Sequence, residues 1–110
     1  FPSLGVLIMS RREKLEELLA KSPDDPFLHF GLAMEYAKEG RCDDACARFD
    51  RAFELDPHYT AAYHHKGFAL ISAGRPDEAR ETLQRGLAAA RECGNDHALA
   101  EMQELLNSIS

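Results

Sequence analysis

Residues 34 positions apart in this chain repeat one another. Gly40, Arg41, Asp43, Ala45 and Arg51 return as Gly74, Arg75, Asp77, Ala79 and Arg85. Looser pairs keep the same shift: Ala33 with Gly67, Tyr36 with Leu70, Phe49 with Leu83. A period of this length marks a repeat architecture. One unit cannot bury its own apolar face, so it stacks on its neighbour and the core runs along the stack.

The spacing within each unit is helical. Ser10 with Glu13 makes a capping box, and Leu15, Leu18 and Leu19 form one apolar stripe at i, i+3, i+4. Pro23 and Pro26 punctuate the chain, and Asp24 and Asp25 offer capping oxygens before the next helix. No segment alternates polar and apolar residues between turns as a strand does, so the fold is expected to be all-α.

Thirty-four residues is the period of the tetratricopeptide repeat, and the residues follow its pattern. The first unit, about 26–59, carries Leu32-Ala33, Tyr36, Gly40, Ala45, Phe49, Ala52 and Pro57. The second, about 60–93, carries Tyr63, Gly67, Leu70, Gly74, Ala79 and Leu83. The chain resembles a small bacterial-type tetratricopeptide repeat (TPR) protein over about two thirds of its length. The resemblance implies a right-handed helical solenoid of about six antiparallel helices. Each repeat is a pair of helices, A and B, and helix A lines the concave side.

The pattern has a physical basis. Ala33, Ala45, Gly67 and Ala79 are small where helices A and B cross closely, and a larger residue there would overpack the crossing. Tyr36, Phe49, Leu70 and Leu83 supply volume around it. Gly40 and Gly74 fall where helix A stops, a position that favours left-handed φ. Pro57 ends the first helix B. The departures are His29 at the first pattern position, Lys66 for Leu, Gly86 for Ala, and Arg91 for the terminal Pro. Without that Pro, the second helix B is expected to run on to Gly94. Asn95 or Asp96 then opens a further helix over about 95–108, with Ala98, Leu99, Met102, Leu105 and Leu106 on its apolar face and Glu101, Gln103, Glu104 and Asn107 opposite. That helix and the 10–21 helix would cap the two ends of the stack.

Composition removes several functions. The chain has 110 residues and a net charge of −6, against the concentrated Lys/Arg that nucleic acids and anionic membranes require. No apolar run reaches the ~20 residues of a membrane-spanning helix. Three cysteines are too odd a number for a full set of internal disulfides, which suits a reducing, cytoplasmic setting. No Gly-rich phosphate loop, HExxH or GxSxG motif appears, so an enzyme is not expected. Cys93 and His97 stand four apart, but Gly94 and Asn95 interrupt the helix between them. Most acidic residues, such as Glu16, Glu17, Asp43 and Asp77, read as solvated helix faces.

Function is therefore expected in the groove. The helix A positions implied by the resemblance are Phe27, Phe30, Gly31 and Met34, then Ala61, His64, His65 and Phe68. The grooves in this family that grip a C-terminal carboxylate use Lys, Asn and Arg at such positions; none stands here. The expectation is a non-catalytic protein–protein interaction module taking an apolar peptide or helix, with Phe27, Phe30, Met34, His64, His65 and Phe68 as the site. Phe27 and Phe30 have another reading, as core packed on the 10–21 helix. No cofactor or metal is expected. His64 and His65 point about 100° apart on a helix, and the Cys42/Cys46 pair at i, i+4 lacks further ligands. Residues 1–9 form an apolar segment, Phe1-Pro2-Ser3-Leu4-Gly5-Val6-Leu7-Ile8-Met9, unlike a signal peptide. It reads as a leader added before a start at Met9. An alternative gives residues 1–8 a role: docking in their own groove or a neighbour's, in a homo-oligomerising scaffold.

Overall fold

The computed structural model describes residues 9–109. Among them are six helices: α1 (Arg11–Lys21), α2 (Pro26–Lys38), α3 (Cys42–Leu55), α4 (Thr60–Ser72), α5 (Pro76–Cys93) and α6 (Asp96–Asn107). No strand occurs among the described residues. Each helix packs on the next in sequence. In addition, α2 touches α4 and α4 touches α6, so alternate helices lie side by side on one face. This is the arrangement of a helical-hairpin solenoid.

The helix ends are set locally. Ser10 Oγ accepts from the Glu13 backbone N–H while the Glu13 carboxylate accepts from the Ser10 backbone N–H, closing the capping box of α1. Asp25 caps α2 by accepting from the Phe27 N–H at 2.9 Å. Asn95 caps α6, accepting from the Ala98 N–H at 3.0 Å. Gly40 and Gly74 have φ of 73° and 75°, and α5 stops at Gly94. These values favour glycine because a side chain there meets the adjoining carbonyl.

The core lies where the A and B helices cross. Ala33, Ala45, Ala79, Phe49 and Leu83 have no exposed surface. Phe53 stacks on Tyr63 with ring centroids 4.2 Å apart, joining α3 to α4. A Cβ at Gly67 would stand 2.6 Å from Leu83 Cδ2, which accounts for the small residue at that crossing. Gly86, a departure from the repeat pattern, has a similar cause. A Cβ there would collide with Met102 Sδ of α6 and would reach within 2.7 Å of Tyr63 Cβ. The position is small because α6 seats Met102 against the bare backbone of α5.

The other departures also have partners. His29 is buried, with Nε2 2.7 Å from the Pro23 carbonyl and Nδ1 3.2 Å from Arg48 Nη1. One tautomer satisfies both, with Nε2–H donating and Nδ1 accepting. Lys66 reaches across to Asp50, Nζ to Oδ1 2.6 Å, above the Phe53 ring. Tyr36 packs half-buried against the core around the crossing, as expected. It lies between α1 and α3, its hydroxyl donating to Glu16 at 3.3 Å and Arg41 resting on its ring.

Candidate functional site

Between α2 and α4, opening at the N-terminus of α3, lies a groove of about 640 Å³. Its apolar surface comes from Met34, Phe68 and Ala69, with the fully buried Phe49 beneath. His64 and His65 form its rim, and their rings meet edge to face with centroids 5.0 Å apart. Ala37, Lys38, Cys42 and Ala73 surround the end where α2 and α4 stop. The helical period explains the lining: Met34, Ala37 and Lys38 fall on one face of α2, as His65, Phe68 and Ala69 do on α4.

Four of the six residues expected to form the site line this groove: Met34, His64, His65 and Phe68. Phe30 does not. Its ring sits 5.9 Å from Phe49, 5.2 Å from Tyr59 and 5.4 Å from His65, half-buried behind the groove wall. Phe27 is outside the groove and 65% exposed, so it is not core on α1 either. Gly31 serves α1: a Cβ there would lie 3.3 Å from Leu15 Cδ2. Nor is the groove without a fixed cation, as Lys38 lines it, paired with Glu35 at 3.0 Å. Lys38 sits one helical turn beyond Met34, so extending the Met34 face by i+4 would have found it. The i, i+4 spacing of Cys42 and Cys46 does not place Cys42 in the groove, because nothing in a helical period shows that the start of α3 opens into it.

Phe68 is 56% exposed. An exposed aromatic ring over an apolar channel gives a surface suited to apolar side chains of a partner. Among the described residues no group of three or more His, Cys, Asp or Glu could hold a metal ion. Burial, and then the neighbouring His64, hold the His65 imidazole below its usual basicity. An unfolded His65 takes up a proton as pH falls through about 6.5 while the folded one resists, so acid favours unfolding there. The urea midpoint is expected to fall between about pH 7.5 and about pH 5.5, and to fall less in His65→Gln. Equal slopes in the two proteins would refute this.

The sequence profile of the tetratricopeptide repeat family matches residues 36–106, most of the described helices. The chain belongs to the tetratricopeptide repeat family. It is 36% identical to a TPR repeat-containing protein of Pseudomonas aeruginosa over 97 residues, which span 88% of this chain and 92% of that one. Its fold is similar to the solution structure of a Bordetella parapertussis protein. The TM-score is 0.79 and the identity 31%, covering 93% of this chain and 89% of that one. It is also similar to the TPR2B domain of yeast Sti1 in its pHsp70 complex, with TM-score 0.82 and 26% identity, covering 89% and 78%. TPR proteins are generally non-catalytic interaction modules, which sets the coarse function of this chain. No described helix is long and apolar enough to cross a membrane.

Proposed function

We propose that this TPR protein binds an apolar peptide segment or amphipathic helix of a partner protein in the groove between α2 and α4, without catalysing a reaction. The observation that carries this reading is the exposed Phe68 ring beside Met34 over the buried Phe49. The peptide complex of the Sti1 domain supports the general mode. A partner rich in Leu or Met side chains suits this lining better than one led by charge. Nucleic acid and membrane surfaces are not proposed as partners, and no cofactor is. A cytoplasmic setting fits the three free thiols.

A second reading is that residues 1–8, which lie outside the described residues, fill the groove in the same or a neighbouring molecule. One observation favours it. Arg11 pairs with Glu35 at 3.7 Å and Arg12 with Glu39 at 3.1 Å, so α1 begins beside the end of α2 that carries Ala37 and Lys38. Eight extended residues reach about 26 Å. Both readings meet one experiment. The full chain and a chain beginning at Ser10 are titrated with a Leu-rich amphipathic peptide and followed by NMR, with mass measured by light scattering. The partner reading expects shifts concentrated at Met34, His64 and Phe68. Shifts elsewhere, or none in either chain, would defeat it. The second reading expects the shorter chain to bind more tightly or to lose mass, and equal behaviour would defeat that.

A further inference from the structure

Lys38 and Ser72 are the last residues of α2 and α4, and both line the groove. They stand 34 positions apart, so the repeat sets them level with each other at one end of it. One turn earlier come Met34 and Phe68, which hold the same spacing. The groove thus has an apolar centre and, about 6 Å further along each helix, an ammonium and a hydroxyl. Among the described residues that line it, Lys38 alone carries a fixed charge, and none is a carboxylate. In a chain of net charge −6, this is a surface from which the acidic side chains are missing.

A lysine in the last turn of a helix has an ordinary role. It complements the carbonyl ends and pairs with a carboxylate one turn back. Lys38 fills that role with Glu35 at 3.0 Å, but Glu35 does not depend on it. Arg11 of α1 holds the same oxygen of Glu35 at 3.7 Å. The Lys38 side chain is 70% exposed and that of Glu35 only 14%. Lys38 can therefore turn to a ligand and leave Glu35 paired. The other carboxylates near this end are engaged as well: Glu39 by Arg12 at 3.1 Å, Asp44 by Arg41 at 2.9 Å and Asp43 by Arg75 at 2.6 Å. Neutralised in pairs, they offer little repulsion to an arriving anion.

We propose that the segment taken by this groove carries an acidic side chain, Asp or Glu, beside its apolar anchors, and that Lys38 selects it. This rests on the groove being the peptide site. The group recognised is a side-chain carboxylate within the segment. Lys38 donates to it, with the Ser72 hydroxyl at the same end as a second donor. Contacts with Met34 and Phe68 supply most of the affinity, and the charge pair supplies the choice among apolar partners. In a helix lying along α2 and α4, the acid belongs three or four positions from the residue seated between Met34 and Phe68, which is one turn away.

The test uses the full chain at pH 7.5 and three versions of the Leu-rich amphipathic peptide, all with acetylated and amidated ends so that no terminal charge is present. One has Glu four residues after its central Leu, one has Glu four residues before it, and one has Gln at both places. The two Glu positions allow for either direction of the segment. At least one Glu version is expected to bind about three- to fivefold tighter than the Gln version, and the gain to shrink as salt rises from about 0.05 M to about 0.5 M. Lys38→Met is expected to bind the Glu and Gln versions alike, and Lys38→Glu to reverse the preference. Equal binding of all three versions by the parent chain, or a gain that persists in Lys38→Met, would overturn the assignment. If no version binds at the groove, the peptide-site reading fails and takes the proposal with it. If all three bind there without preference for Glu, the proposal alone fails.

Discussion

Phe49→Ala is expected to remove about 3–5 kcal/mol of stability, the range for deleting a fully buried aromatic ring. Phe49 has no exposed surface. Its ring packs near Phe30 and underlies the groove, so its loss leaves a cavity open to the face where a ligand would lie. Small domains have about 5–15 kcal/mol in total, and the drop in Tm should be roughly 15–30 °C. Thermal melting followed by circular dichroism measures it. Phe49→Leu keeps most of the volume and should cost much less, because the neighbouring side chains can repack around it. A melt for Phe49→Ala within a few degrees of the parent would mean that the α2–α3 crossing does not hold the stack together. The loss should extend beyond one repeat. A solenoid is stabilised by nearest-neighbour contacts, and α3 packs on both α2 and α4.

The sequence shows the fold well and the site less well, for one physical reason. Helix crossings demand small residues at fixed positions, and the chain writes them twice: Ala33 and Ala45, then Gly67 and Ala79. The turns likewise require Gly40 and Gly74, whose left-handed φ leaves few alternatives. A groove imposes no such demand. Phe27, Phe30 and Met34 lie within about 60° of one another on α2, so the helical period alone does not say which of them reaches the channel. Tyr59, from the turn before α4, settles it by packing on Phe30 and drawing that ring behind the wall. Phe27 stands a turn earlier, past the end of the groove. Gly31 looks like a groove position until Leu15 of α1 is seen lying over it. Gly86 is the converse. In the repeat pattern it is an unexplained departure, and only the seating of Met102 from α6 supplies the cause. Contacts between neighbouring repeats are legible from a period. Contacts with the capping helices are not, because α1 and α6 occur once.

Phe68→Asp is the substitution that separates binding from folding. Phe68 is 56% exposed, so in the free protein its replacement should change stability by about 0.5 kcal/mol or less. Binding should respond far more. An aromatic anchor at the centre of a peptide interface is worth about 2 kcal/mol or more when truncated, which is roughly 30-fold in Kd. The aspartate adds a further cost, because an apolar ligand covering the groove would strip water from the new charge. Phe30→Ala is a poorer probe. That ring packs on Phe49, Tyr59 and His65, so its loss should lower Tm as well as affinity. Phe68→Asp should leave the melt in place and weaken the Leu-rich peptide at least 30-fold. If melting and affinity fall together, Phe68 belongs to the core. If neither moves, the peptide binds elsewhere and the α2–α4 groove is not the interaction surface.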